Sequence, residues 1–370
     1  GRPRRTRRGR DEELVGGLKN ARKYGYSSAR ANAMKSKLLD KKTMQDITAA
    51  KDISTILSML FERDYRTEIE EFGGLKIKND LIDFALSKNL AKNILKLVRL
   101  SQGRERQVMQ SVAGKWDLYN IRLAVEAKER KRGYDSIARY LIDAGRYNAL
   151  VIKEAMREDS VESMLSKLMI NSPYKRILTE ASETYKKSKS AFEAISVLDR
   201  EYYAYLARLA VVLGNIGDRP SAKILRMEID MKNILTLIRA KRLEMKFAQV
   251  AALIIPNGNM ARESLEQVYS GSRDISEMAS QIRMFDLKDA VEFFKKDQHK
   301  QLLTFEIGIR NAMLTSGIRQ LGHKILSFGT MLAYLYMKEA EVSMLRILIN
   351  GKAYGIEKED IERLIGWKTR

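Results

Sequence analysis

Cysteine is absent from all 370 residues. That excludes disulfides, thiolate metal sites and cysteine nucleophiles, and it fits a reducing compartment. Histidine is nearly as scarce. His299 and His323 stand in no metal-binding spacing, so neither an H-E-x-x-H helix nor a Cys/His array exists. No stretch reaches the roughly 18 uninterrupted apolar residues of a membrane span. The richest segments, Leu206–Leu213 and Met331–Met337, are broken by Arg208 and bounded by Lys338. The first residues carry no apolar h-region, so the expectation is a soluble, intracellular protein without a secretory signal. Neither a G-x-x-x-x-G-K-[ST] loop nor a G-x-S-x-G elbow occurs; Gly114-Lys115 runs into Trp116, not a hydroxyl. No catalytic residue, cofactor site or metal site is expected.

Proline is the other scarce residue. The four are Pro3, Pro173, Pro220 and Pro256, leaving none between 4 and 172. Proline costs about 3 kcal/mol inside a helix, and its absence leaves long runs of Ala, Leu, Lys, Arg, Glu, Met and Ile free to be helical. Alternating β-branched runs with hairpin turns are missing. The expected class is all-α.

What the chain does have is repetition. Trp116-Asp117-Leu118-Tyr119-Asn120-Ile121, followed by Ala127-Lys128, recurs as Ile229-Asp230-Met231-Lys232-Asn233-Ile234 with Ala240-Lys241, 113 residues on. A third, more worn copy follows after 111 more: Ala340-Glu341-Val342-Ser343-Met344-Leu345 with Gly351-Lys352. Leu118, Ile121 and Val125 stand at i, i+3 and i+7 on one apolar stripe, as do Met231, Ile234 and Ile238, and Val342, Leu345 and Ile349. A second phrase repeats out of phase. Ile53, Ile56, Leu57, Ser58 and Leu60 match Val161, Met164, Leu165, Ser166 and Leu168, and then Ile275, Met278, Ala279, Ser280 and Ile282.

The period exceeds the 20–50 residues of solenoid units, so domain-sized bundles are expected. We place a basic, disordered extension at 1–19 and helical repeats at 20–110, 111–222 and 223–336. Closing helices at 337–370 stand where the first repeat lacks its own copy of the phrase. That phase predicts a closed funnel or cup with pseudo-threefold symmetry. Gly73-Gly74, Gly217 to Pro220 and Pro256 to Gly258 mark breaks.

At 100° per residue Asp117, Asn120 and Lys128 share one arc beside the apolar stripe. Asp230, Asn233 and Lys241 repeat it, whereas the third copy keeps Glu341 and Lys352 but has Met344. Such carboxylates and amides are expected to bond neighbouring helix ends, and Trp116 and Tyr119 to anchor the core. The candidate interface or inter-repeat contacts are Trp116, Asp117, Tyr119, Asn120, Arg122, Asp230, Asn233, Glu341 and Arg346.

Net charge is +21, from 68 Lys and Arg against 47 Asp and Glu. Six arginines crowd the first ten residues; these are read as a solvated extension whose removal spares folding. The balance favours anionic partners.

The chain resembles the C-type stalk component of the archaeal (A-type) and bacterial V-type rotary ATPases, whose eukaryotic homologue is the d-type component of the vacuolar proton pump. Tyr26-Ser27-Ser28-Ala29-Arg30, Lys35-Ser36-Lys37-Leu38-Leu39, Leu60 through Tyr65, Lys115 through Arg122, and Glu341 to Arg346 with Ile347-Leu348-Ile349 carry the likeness. It runs from about Tyr24 to the C-terminus and leaves out the arginine-rich start. The resemblance implies a funnel of three helical domains. It implies a non-catalytic socket at the cytoplasmic face of the membrane, peripheral to it, between the central-shaft subunits and the membrane proteolipid ring. An anionic membrane surface lies nearby in that placement, with no nucleic acid and no small-molecule substrate. The alternative is a basic helical nucleic-acid-binding or scaffold protein. Against nucleic acid, no recognition helix, RRM or OB pattern is visible and the basic residues mix with acids.

Overall fold

The computed structural model describes residues 24–71, 78–215, 218–284, 287–296, 305–306, 308–310, 312–313, 327–353 and 355–365. The 1–10 arginine cluster, His299 and His323 lie outside them. Among the described residues there is no strand: the fold is all-α, as the missing prolines lead one to expect.

A first helix spans 24–35 (α1). It is followed by α2 (Lys41–Ala49), α3 (Ile53–Phe61), α4 (Arg66–Glu71), α5 (Lys78–Leu100) and α6 (Gly103–Glu129). Next come α7 (Ala149–Ala155), α8 (Val161–Leu168), α9 (Lys175–Ser188), α10 (Ala191–Asn215) and α11 (Arg219–Arg242). The last described group is α12 (Phe247–Val250), α13 (Arg262–Ser270), α14 (Ile275–Gln281), α15 (Lys288–Lys296), α16 (Phe328–Ala353) and α17 (Lys358–Leu364).

The second repeated phrase forms α3, α8 and α14. A side chain caps each: Asp52 accepts from the Thr55 N–H, Ser160 from Ser163 and Asp274 from Glu277. Such caps satisfy amides that a helix start leaves without partners. Ile56 and Leu60, Met164 and Leu168, and Met278 with Ile282 then turn into the core. The first phrase lies on α6, α11 and α16, whose Ile121, Ile234 and Leu345 are each 0% exposed.

These three long helices also end alike. Lys131, Glu244 and Gly355 take left-handed φ values of 54°, 54° and 68°. The next N–H reaches back across the last turn, Arg132 to the Ala127 carbonyl at 2.8 Å, Met245 to Ala240 at 3.0 Å and Ile356 to Gly351 at 2.8 Å. This is the closure that glycine normally provides. One buried core runs through all of these helices, with α16 packed on α5, α6 on α10, and α10 on α11. The sequence bounds at 110/111, 222/223 and 336/337 each fall inside a long helix, so α6, α11 and α16 run through them unbroken. Pro220 sits in the first turn of α11 behind the Asp218 cap, where its missing N–H costs nothing.

Left-handed backbone costs a side chain about 1 kcal/mol or more and glycine nothing. Urea denaturation should therefore show Gly355→Ala destabilised by about 1 kcal/mol, with Lys131→Gly shifted in the opposite direction.

Candidate functional site

The repeated polar positions are spent on a clamp that is made three times. Asp117 is 4% exposed and its Oδ1 accepts the Tyr147 N–H at 2.8 Å. Asp230 is 0% exposed and accepts the Met260 N–H at 3.0 Å and the Asn259 N–H at 2.9 Å. Glu341 is 4% exposed and accepts the Leu39 N–H at 2.6 Å, from the other end of the chain. In all three the donor immediately precedes the cap of a short helix: Asn148, Ala261 and Asp40. The lysine of each phrase finishes the grip at that helix's far end. Lys128 donates to the Met156 carbonyl at 2.9 Å, Lys241 to Tyr269 at 2.8 Å, and Lys352 to Ala50 at 2.7 Å. The first long helix holds α7, the second α13, and the last reaches back to α2.

The asparagines make the middle contact. The Asn120 amide donates to the Ile142 and Tyr147 carbonyls and accepts from the Ile142 N–H. Asn233 brackets Ile255 in the same way at 2.9 Å on both sides. Both gripped residues sit in non-helical chain whose backbone needs outside partners. The equivalent residue in the third clamp is Met34. It lies inside α1, and its carbonyl already accepts from the Lys37 N–H at 3.2 Å. With no orphaned backbone to satisfy, Met344 replaces the amide and packs on the core.

Each carboxylate takes a further donor. The Tyr174 hydroxyl meets Asp117 at 3.3 Å, the Tyr65 hydroxyl meets Glu341 at 2.6 Å, and the Asn259 side chain meets Asp230 at 2.9 Å. Lys338, only 1% exposed, donates to Glu341 at 2.8 Å and to Tyr65 at 3.0 Å. Burial followed by the Glu341 charge pushes the Tyr65 phenol well up, so it stays a donor. The repeated phrases do not reveal Tyr65 and Tyr174 as partners of these carboxylates, although both follow the capped short helix by nearly the same interval. Nor do they reveal the close approach of Gly145 and Gly258. A Cβ on either would lie 2.2 Å from the Asp117 or Asp230 carboxylate oxygen. The third clamp has Lys37 at that position, and there the carboxylate is one methylene longer.

Immediately before each phrase stand Lys115, Glu228 and Glu339, at the same 113 and 111 spacing. α6, α11 and α16 bring them together. The Lys115 ammonium lies 2.6 Å from Glu339 and 3.8 Å from Glu228, and 5.4 Å from both the Trp116 and Tyr336 ring centres. Burial opposes the lysine charge, but Glu339 and Glu228 outweigh it and raise Lys115 above the ordinary lysine value. Burial raises Glu339, with Lys115 opposing.

The remaining candidates are dispersed. Trp116 is half-buried, edge-on to Tyr119 at 5.4 Å, and its indole N–H has no hydrogen-bond partner among the described residues. Arg122 makes a surface pair with Glu126 at 3.0 Å. Arg346 reaches from α16 to α5, where it lies 3.7 Å from buried Asp83 and donates to Ser87. Burial raises the Tyr119 phenol, with Arg346 and Arg122 opposing. No group of three or more acidic or histidine side chains that could hold a metal occurs among the described residues. None of their helices is long and apolar enough to cross a membrane.

Two tests follow from the clamps. Gly145→Ala and Gly258→Ala should each cost about 1–3 kcal/mol by overpacking against an anchored carboxylate. Gly214→Ala, in α10 with open space around it, should stabilise by up to about 1 kcal/mol. Burial also lifts the Asp117 carboxyl above its ordinary 3.8, against the pull of the Tyr147 and Arg146 amides. The folded state therefore holds that proton more tightly than the unfolded chain. This contribution is full below pH 3.8 and is lost as pH rises through the raised folded value. Asp117→Asn should flatten that part of the stability–pH profile, read by thermal melting.

The family model described as "ATP synthase (C/AC39) subunit" matches residues 27–364. The chain is 26% identical to the C component of the A-type ATP synthase of Archaeoglobus fulgidus, over 93% of this chain and 96% of that one. It is 24% identical to that of Methanococcoides burtonii, over 91% and 92%. With that of Thermococcus onnurineus it shares 26% identity, over 93% and 90%. The match begins in α1 and ends in α17, taking in all three clamps and the charged triplet, and on it the chain belongs to the ATP synthase (C/AC39) subunit family.

Proposed function

We propose that this chain is the central-stalk subunit of an A/V-type ATP synthase or ATPase. In this reading it is a non-catalytic socket at the cytoplasmic face that joins the rotating shaft to the membrane proteolipid ring, so that ATP turnover and ion flow stay coupled. The observation that carries the reading is the third clamp. Glu341 and Lys352 on α16 hold Leu39 and Ala50, tying the last long helix to the first short one. A body closed in this way resists opening under torque, which a rotor part requires. We take 20–110, 111–222 and 223–336, closed by 337–370, as three pseudo-symmetric units of a funnel or cup. Asp117, Asn120, Asp230, Asn233 and Glu341 hold the units internally. Half-buried Trp116 and exposed Arg122 remain as candidates for contact with a partner. The net charge of +21 suits acidic partner loops and lipid headgroups.

Both interfaces of such a socket must resist slipping, so each should bury on the order of 2,000 Å². A complex lacking the chain should still hydrolyse ATP in its catalytic head but no longer pump ions. Because native cysteine is absent, Arg273→Cys, at a side chain 92% exposed, supplies a single crosslinking point. Crosslinks to shaft or ring should leave pumping coupled, and crosslinks to stationary subunits should block it. Coupled ion transport by a complex truly lacking this chain would falsify the proposal.

A further inference from the structure

We propose that a basic pocket formed by the end of α1, the α3–α4 turn and the middle of α5 binds a phosphate-class oxyanion, either free phosphate or the phosphoryl group of a lipid headgroup. The pocket encloses about 230 Å³, and its charged lining is Lys37, Arg63, Arg66, Lys92, Lys96 and Asp64. Liquid water takes about 30 Å³ per molecule, so a tetrahedral oxyanion fits with several waters. The clamps and the charged triplet use none of these side chains.

The charges do not balance from within. Lys37 is paired with Asp64 at 3.3 Å, and Lys92 with buried Glu68 at 2.8 Å. Arg63 donates to the Thr43 hydroxyl at 3.1 Å, and the Arg66 guanidinium lies 4.9 Å from the Phe61 ring centre. Lys96 is half-buried and forms no ion pair among the described residues. Five cations face Asp64 in the lining and Glu68 beside it, and Asp40 lies close enough to act on Arg63, so the pocket keeps a net positive charge. The strain registers on Lys96. Burial first, then the charges of Arg30, Lys37 and Lys92, hold its ammonium below the ordinary lysine value, against the pull of Asp64. Gathering like charges in a half-buried crevice carries a cost that an opposite charge relieves.

The geometry favours a compact, multiply charged anion over a single carboxylate. Donors converge from three elements: Lys37 after α1, Arg63 and Arg66 around the α3–α4 turn, and Lys92 and Lys96 one helical turn apart on α5. Guanidinium and ammonium groups drawn from three elements can share the oxygens of one phosphate, and charge-assisted bonds of this kind are the strong ones. Bound oxyanion would also return Lys96 toward its ordinary value.

The test uses the full chain. Binding of sodium phosphate is followed by calorimetry and thermal melting, with sodium chloride at matched ionic strength as reference. Flotation with phosphatidylcholine vesicles, with and without phosphatidic acid, forms the second arm. Phosphate should raise Tm where chloride does not. Lys96→Gln and Arg66→Gln should each weaken binding about tenfold, the loss of one charge-assisted bond. Lys187→Gln, an exposed charge on α9 far along the chain, should bind as wild type. If free phosphate does not bind but phosphatidic acid vesicles capture the chain in a Lys96-dependent way, the oxyanion is a lipid headgroup. Should Lys96→Gln fail to fold, exposed Arg66→Gln decides alone. Binding of neither probe, equal binding by the pocket variants, or an equal loss in Lys187→Gln overturns the proposal. None of these outcomes bears on whether the chain couples a shaft to a ring.

Discussion

A carboxylate taken out of water loses several kcal/mol of solvation and must be given hydrogen-bond donors in return. Asp117, Asp230 and Glu341 are placed under that constraint, and each takes at least one backbone N–H from a segment that has no sheet or helix of its own at that point, together with a side-chain donor. A backbone donor ties a stretch of chain to one place whatever its side chain is, so each carboxylate fixes where a pair of short helices docks. The companion lysine fixes the other end of the first short helix through its C-terminal carbonyls, where a cation also complements the helix dipole. Two polar contacts a helix length apart determine position and direction together. Apolar packing of Ile56, Met164 or Met278 alone would tolerate sliding.

The three copies are equivalent in layout but not in chemistry, and the differences obey local physics. Where the carboxylate is short, a glycine lets the backbone come close; where it is long, Lys37 stands in the glycine position. An asparagine serves extended chain at Ile142 and Ile255, and methionine suffices where the facing residue already belongs to a helix. The sharpest case is Lys115, Glu228 and Glu339. In a trimer of identical chains, symmetry would place the same charge three times at this junction, and like charges at such distances repel. One chain holding three copies can place a lysine between two glutamates, at 2.6 and 3.8 Å. Carrying three copies of the phrase on one polypeptide thus permits a charge arrangement that exact symmetry forbids.

Much of this was legible in the residues. Helical class followed from proline scarcity and the 3.6-residue stripes, and the polar positions of the phrase marked side chains that act together. Lys115, Glu228 and Glu339 keep the same spacing one position ahead of each phrase, but they lie off the apolar stripe and differ in charge, so periodicity alone does not mark them as a group. Tyr65, Tyr174, Gly145 and Gly258 were harder. They sit in connecting segments, where no periodicity marks a residue and where the partner lies far along the chain, 57 residues for Tyr174 and 276 for Tyr65. The 110/111, 222/223 and 336/337 bounds were drawn from the phase of the phrase. A phrase in mid-helix cannot mark a helix end, and the chain changes direction instead at Lys131 and Glu244.

The continuity of α6, α11 and α16 bears on what the body can transmit. A flexible linker between units would let each yield separately to a twisting load. A long helix running through the junction, packed on both sides and anchored by clamps near its middle and end, leaves no soft hinge there. Closure adds to this. Pulling Leu39 away from Glu341 would strand a carboxylate with only Lys338 and Tyr65 to answer it, in a site 4% exposed. Leaving a buried carboxylate oxygen without its donor is costly even with Lys338 beside it, so the contact between Leu39 and Glu341 is held by the same kind of interaction that docks α7 and α13.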